Sequence, residues 1–325
     1  MTTPLEERSS EDLGQYSRTA FGLSLSIDER ISIPGLGHSG RPAASGPPTR
    51  VRLDAEELNR RWEAVTSEPT RARELRFGDA VLLTVDFAEP AGYLMWASEF
   101  GRILISPDGL ELLCEPEPGI EAWANILAFQ ALPLAATIRG LEVMHASGVV
   151  LAGRAVLVAG PPGAGKSSLA AALVRAGGQL LSDDAVALQL RDGELSAHAG
   201  STVLQLRAPE DERLSAQERA ALGAQADSLA EKHRYVSDVA PEPAPLGGLF
   251  LLQRSSEQPA VEQLVAVDPF ELIASTFNLS VRTPERLQRQ LDVVSAIASA
   301  GLAYRLRVQP DVDATRLAAM IQAEL

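Results

Sequence analysis

Apolar and small polar residues alternate along Phe21–Ile27 (FGLSLSI) with the period of two that sends successive side chains to opposite faces of a strand. The pattern of Asp79–Phe87 also predicts a strand. Arg102–Ser106 (RILIS), the turn Pro107-Asp108-Gly109 and Leu110–Leu113 (LELL) predict a β-hairpin. Residues 34–49, rich in Gly, Pro and Ser and containing His38, predict a loop. The polar first 15 residues predict a disordered tail, which leaves residues 16–120 as a mainly β region.

The pattern changes after Pro116–Pro118. From Glu121 toward Gly140 the chain predicts a long apolar helix kinked at Pro133. Strand and helix signals then alternate. Val143–Val150 and Ala155–Ala159 predict strands paired around Ala152-Gly153-Arg154. A helix over Lys166–Ala176 follows, with strands at Gln179–Leu181 and Val186–Leu190 and a turn at Arg191-Asp192-Gly193 leading into a further strand. Residues 209–234 are charged, helical at first and then loop-like. Gly248–Leu252, Val261–Val265 and Tyr304–Val308 predict strands; Pro269–Phe277, Pro284–Ala300 and a segment from Ala314 predict helices. Residues 121–325 therefore form an α/β core, and the chain holds no internal repeat.

At 325 residues the chain has room for one large domain or two ordinary ones, and its 46% hydrophobic content supports a full core. Net charge is −14, which argues against nucleic acid or an anionic membrane as principal partner. The single cysteine, Cys114, permits no internal disulfide. With no apolar signal core at the N-terminus and no run long enough to span a bilayer, the expectation is a cytoplasmic protein. Of 29 basic residues only Lys166 and Lys232 are lysines.

Lys166 lies in Gly160-Pro161-Pro162-Gly163-Ala164-Gly165-Lys166-Ser167, a full G-x-x-x-x-G-K-[ST] match between a predicted strand and a predicted helix. Glycines allow backbone N–H groups to curl around phosphate oxygens, and the helix N-terminus adds partial positive charge. The loop predicts ATP binding by residues 160–168, Ser168 included. Lys166 reaches the β- and γ-phosphates and Ser167 ligates Mg²⁺. Beyond the loop, QLLSDDAVAL carries Asp183 and Asp184 at the end of an apolar strand. One carboxylate there can hold Mg²⁺ and the other can accept a proton from an attacking hydroxyl. His145, in LEVMHASGVV, is either a packed sheet residue or a group that orients an aspartate or a phosphate oxygen. His38, His198 and His233 carry weaker signals, and no Cys/His spacing suggests zinc.

The stretch from Met144 to Leu188 (MHASGVVLAGRAVLVAGPPGAGKSSLAAALVRAGGQLLSDDAVAL) resembles the HPr kinase/phosphorylase family. The resemblance implies the fold shared with phosphoenolpyruvate carboxykinase, a mixed sheet with helices, over the P-loop kinase core. It matches His145 to the site histidine, Lys166 and Ser167 to the phosphate and Mg²⁺ ligands, Asp183 to the catalytic base and Asp184 to the metal-side acid. The chain also departs from the family. The Arg-containing glycine-rich segment of relatives acting on HPr corresponds only to Pro245–Leu252, which has no Arg. Ser168 stands where the family has Glu, and residues 1–120 do not match its N-terminal domain. HPr and phosphorolysis are accordingly not expected. The chain is similar to a divergent branch of kinases found with ribosomal-peptide tailoring systems, which implies a serine on a lasso-type precursor peptide as acceptor.

Lys232 is either a solvated lysine or, with Arg234, a cationic clamp on the γ-phosphate. Arg305 and Arg307 share one strand face and suit plain exposure better than substrate contact. Taken together, the sequence predicts an ATP- and Mg²⁺-dependent kinase acting on a serine of a peptide or small protein, neutral or basic rather than acidic. A homo-oligomer is possible. A small-metabolite hydroxyl kinase and a non-catalytic ATP-binding regulatory module stay open, whereas a GTPase lacks an N-K-x-D motif.

Overall fold

The computed structural model describes residues 18–36, 46–229, 232–237, 241–265, 267–277, 280–309 and 312–325. His38 and the first 15 residues lie outside the described residues.

Eight strands drawn from Arg18–Pro116 form one sheet. They are β1 (Arg18–Ala20), β2 (Leu23–Ile27), β3 (Thr49–Leu53), β4 (Thr70–Phe77), β5 (Ala80–Ala88), β6 (Gly92–Ala97), β7 (Gly101–Ile105) and β8 (Glu111–Pro116), in spatial order β1-β2-β3-β8-β7-β6-β5-β4. Helix α1 (Ala55–Glu63), unforeseen in the sequence, covers one face of this sheet. Asp54 caps it by accepting from the Glu57 N–H, and its Leu58 packs with Leu94, Leu104 and Leu113. The opposite face packs on the segment that follows.

That segment is not one kinked helix. A 3₁₀ turn (Glu121–Ala124) and a π-helical turn (Leu127–Ala131) precede α2 (Leu132–Ile138). Pro133 has no N–H to donate and its ring crowds the carbonyl four residues back, so regular α-helix begins only where Pro133 occupies the first turn.

A nine-stranded mixed sheet follows. Its strands are β9 (Glu142–Met144), β10 (Ala146–Leu151), β11 (Arg154–Ala159), β12 (Gln179–Ser182), β13 (Val186–Arg191), β14 (Glu194–His198), β18 (Ala244–Arg254), β19 (Ala260–Gln263) and β20 (Ala303–Val308). The order is β12-β10-β11-β18-β14-β13-β9, with β20 beside β18 and β19 beside β20. Two-residue turns at Ala152-Gly153 and Asp192-Gly193, all four residues at positive φ, close the β10–β11 and β13–β14 hairpins. Side chains on β11 alternate between two cores. Val156 and Val158 pack with α3 (Lys166–Arg175) and α8 (Ala314–Gln322), while Ala155, Leu157 and Ala159 pack on the side of α7 (Pro284–Ser299). The sheet is thus clad by helix on both faces, the arrangement that a continuously apolar central strand requires.

Residues 209–234 depart from expectation. After the short α4 (Ala208–Asp211) and α5 (Ala216–Leu222), the chain forms β16 (Ala224–Leu229) and β17 (Lys232–Val236). These join β15 (Val203–Arg207) in a three-stranded sheet of order β15-β17-β16. The loop expected here is a strand because Tyr235 is buried with Leu204 and Leu206, and the Tyr235 hydroxyl donates to Asp211. Tertiary burial overrides the charged local sequence. The last short helix before α7, α6 (Pro269–Ile273), ends before Thr276, which bridges to Met144.

Candidate functional site

Strand direction brings the chemistry-bearing residues together. β10 runs antiparallel to β11, and β12 antiparallel to β10, so β11 and β12 end at the same edge of the sheet where β10 begins. β18 runs parallel to β11 and ends there too. His145 before β10, the glycine-rich loop after β11, Asp183 and Asp184 after β12 and Arg254 at the end of β18 therefore share one edge.

His145 does not lie within a strand. The expected continuous strand Val143–Val150 breaks at His145, so that β9 pairs with β13 while β10 pairs with β11 and β12. The His145 N–H leaves the ladder and donates to the Ser275 carbonyl at 2.6 Å. Freed from the sheet, the half-buried ring lies with Nδ1 3.4 Å from Asp184 Oδ1, and its centroid is 5.9 Å from that of Phe277.

The loop Gly160–Gly165 leads into α3. Gly163 and Gly165 take φ of 75° and 104°, where a side chain is strained, and Gly165 caps α3 without any side-chain bond. The first N–H groups of the helix are thus left to other acceptors. Lys166 Nζ donates to the Gly160 carbonyl at 3.0 Å and reaches Pro161 O at 3.5 Å. Partial burial pulls the Lys166 ammonium below the usual lysine range; Asp184 and Asp183 act the other way, and the charge of nearby Lys232 adds to the lowering.

The two aspartates occupy different environments. Asp183 is 4% exposed. Its Oδ1 accepts from Ser147 Oγ at 2.6 Å and from Ser167 Oγ at 3.0 Å, and its Oδ2 accepts from the Gln205 N–H at 3.1 Å. Burial raises its pKa above the ordinary carboxylate value, the neighbouring Asp184 charge adds to this, and the three donors oppose it. Asp184 adopts a left-handed conformation (φ 83°) that turns its side chain, 43% exposed, out toward His145.

Cations approach from three further elements. Arg254 Nη2 donates to the Gly163 carbonyl at 2.7 Å. Arg207 Nη2 lies 3.8 Å from where a Cβ on Gly163 would sit, and Arg207 is the cross-strand partner of Lys232. Arg73, on β4, donates to Gln130 Oε1 at 3.0 Å and lies 6.0 Å from the Phe277 ring centroid. Burial lowers the Arg73 guanidinium while the charge of Asp184 holds it up, which places Arg73 on the acidic side of the site.

Lys232 is half-buried at the start of β17, the central strand of the small sheet, whereas Arg234 is 6% exposed and donates to Asn125 Oδ1 at 2.8 Å. Arg305 pairs with Glu271 and Arg307 with Glu257. His198 is buried and its pKa lowered by desolvation; His233 lies 3.9 Å from Asp211. Sequence reasoning missed Arg73, Ser147, Gln205, Arg207 and Arg254. Only Arg254 carried a local signal, two residues beyond the predicted strand Gly248–Leu252 and at the sheet edge where the loop begins.

Among the described residues, no cluster of three or more His, Cys, Asp or Glu is placed to hold a metal, and no helix is long and apolar enough to cross a membrane. Ser167 Oγ and Asp183 Oδ1 are hard oxygen donors side by side. They fit Mg²⁺, which takes one or two protein oxygens and completes its shell with water and phosphate.

No protein-family model matches the chain, and no curated protein matches it. Among solved structures, the chain is similar to the HPr(Ser) kinase/phosphatase from Coxiella burnetii, with 12% identity and a TM-score of 0.30 over 56% of this chain and 95% of that one. The chain itself is a mixed α/β protein of several sheets and helices.

Proposed function

We propose that the chain is an ATP- and Mg²⁺-dependent kinase that transfers the γ-phosphoryl group to a hydroxyl, a serine of a peptide or small protein. The observation that carries this reading is the pairing of unlike carboxylates beside the glycine-rich loop: Asp183 is buried against Ser167, and Asp184 is exposed against His145. A motor or switch needs the first alone. A kinase needs a second, reachable group for the acceptor's proton.

The loop N–H groups, Lys166 and the start of α3 hold the triphosphate, and Ser168 extends this contact. Ser167 would ligate Mg²⁺, with Asp183 behind it holding the Ser167 hydroxyl, and the ion would supply positive charge beside the phosphates. Both Asp183 oxygens are engaged and the residue is closed to solvent, so an acceptor cannot reach it. Asp184 can be reached. We therefore exchange the roles inferred from the resemblance: Asp183 serves the metal side and Asp184 takes the proton of the acceptor hydroxyl. That oxygen attacks the γ-phosphorus, the bond to the β–γ bridging oxygen breaks, and ADP leaves. His145 orients Asp184. Lys232 and Arg207 stabilise charge on the transferring group, and buried Arg234 supports the strand that carries Lys232. The net charge of −14 favours a neutral or basic acceptor peptide.

The test is incubation with γ-labelled ATP, Mg²⁺ and serine-containing peptides, read by mass spectrometry. One added phosphate is expected, lost in Asp184→Asn while ATP binding persists. Full transfer by Asp184→Asn would refute the exchanged roles. ATP binding with no transfer to any peptide would favour a regulatory module.

A further inference from the structure

A cavity of about 500 Å³ opens beside the glycine-rich loop, between α3, the ends of β15, β18 and β20 and the start of α8. Its size suits a small organic ligand. Leu206, Leu214, Val308 and Leu317 give it apolar walls. Its rim includes Ala164, Gly165 and Ser168, so it joins the loop directly. Asp183, Asp184, His145 and Lys166 do not line it.

This polarity matters. Ser167 and Ser168 are consecutive on a helix and so point about 100° apart. Ser167 turns to Asp183, and Ser168 turns to the cavity. A chain of phosphates laid along the loop with its reacting end at the acids must leave at the Ser168 side. Arg254 joins the two regions, lining the cavity while donating to the Gly163 carbonyl. At the mouth, Gln309 donates its amide Nε2–H to the Ser256 carbonyl at 3.2 Å. A carbonyl only accepts, which fixes the amide orientation and leaves Gln309 Oε1 as an acceptor. An acceptor there complements the 6-amino group of adenine and repels the 6-oxo group of guanine.

We propose that this cavity receives the nucleoside of the bound nucleotide and selects adenine over guanine through Gln309. The inference rests on the phosphate-binding role of the loop. Ala314 lines the cavity at the first turn of α8, so Ala314→Trp fills it from an element other than the loop. Calorimetric titration of the full chain with MgATP, MgGTP and magnesium tripolyphosphate separates the two levels. Ala314→Trp is expected to bind MgATP more weakly by about tenfold or more, and tripolyphosphate within about twofold of wild type. Retained tripolyphosphate binding also shows that the variant is folded. Equal losses for both ligands, or no loss for either, would overturn the nucleoside assignment. Wild type is expected to prefer ATP to GTP, and Gln309→Leu to reduce that preference; no preference, or one untouched by the substitution, would overturn the role of Gln309. Wild type that bound neither ATP nor tripolyphosphate would instead refute the phosphate-loop reading, and the cavity assignment with it.

Discussion

Ser147 offers the sharpest test of how the site holds its buried charge. Its side chain is fully buried on β10, and Oγ donates to Asp183 Oδ1 at 2.6 Å. Ser147→Ala removes one donor and little volume, so the cavity contribution is small. The hydrogen bond is charge-assisted when Asp183 is ionised, worth about 1.5–3 kcal/mol, and ordinary when it is protonated, worth about 0.5–1.5 kcal/mol. Burial already raises the folded-state pKa of Asp183 above its unfolded value. A carboxyl raised in this way stabilises the fold fully below the unfolded pKa, and that contribution is lost as pH climbs through the folded pKa. Ser147→Ala raises the folded pKa further and enlarges the loss. The destabilisation should therefore grow with pH, from about 1 kcal/mol under acid conditions to about 2–3 kcal/mol once Asp183 is ionised. Urea unfolding of wild type and variant across the pH range, at constant m, measures it directly. The pH profile of Mg²⁺-dependent ATP binding should shift to higher pH in parallel. A destabilisation that does not vary with pH would refute the idea that Ser147 holds an ionised Asp183.

Gly165→Ala should cost about 1–2 kcal/mol in unfolding experiments, because φ is 104° and nothing lies within 4 Å of the added methyl, so the penalty is one of backbone conformation alone. Lys232→Ala should slow single-turnover transfer with a stability change under about 0.5 kcal/mol, whereas Arg234→Ala should destabilise by about 1–3 kcal/mol by depriving buried Asn125 of its donor. An unchanged transfer rate in Lys232→Ala would remove Lys232 from charge stabilisation. Glu142 and Arg286 form a buried ion pair at 2.7 Å, and Glu142→Ala should cost about 3–5 kcal/mol, read as a lowered denaturation midpoint, with Glu142→Gln milder.

The features legible in the sequence are those fixed by neighbours in the chain. The glycine-rich loop, the hairpin turns at Ala152-Gly153 and Asp192-Gly193, and the carboxylates after Ser182 each depend on a few adjacent residues. The break at His145 was invisible because the apolar run from Leu141 to Val150 continues through it; the strand parts there because β9 and β10 have different partners and the Ser275 carbonyl captures the His145 N–H. β17 was hidden by its charge, since burial of Tyr235 on Leu204 and Leu206 decides it, and β16 is a strand through its pairing with β17. The division of labour between Asp183 and Asp184 also required the fold. Adjacent identical residues carry no sequence difference; Ser147, Ser167 and Gln205 on one, and His145 and the left-handed turn at the other, tell them apart. Arg73 reaches the site from over a hundred positions upstream of Asp184, a distance along the chain that no local pattern spans.

The eight-stranded sheet and the site do not own separate interiors. Phe21, Leu25, Val85, Met95 and Ile105 share one hydrophobic cluster with Leu127, Leu134, Val143 and Ala185, and Ala185 immediately follows Asp184. The N-terminal region is thus no detachable module that could be traded between homologues to change partners. A chimera joined near residue 120 would have to re-form an interface directly behind its own acidic pair. Drift in the sheet's inward-facing residues and drift in the site must travel as one evolutionary unit, and deletion of the first region should yield an insoluble remainder rather than a smaller folded protein.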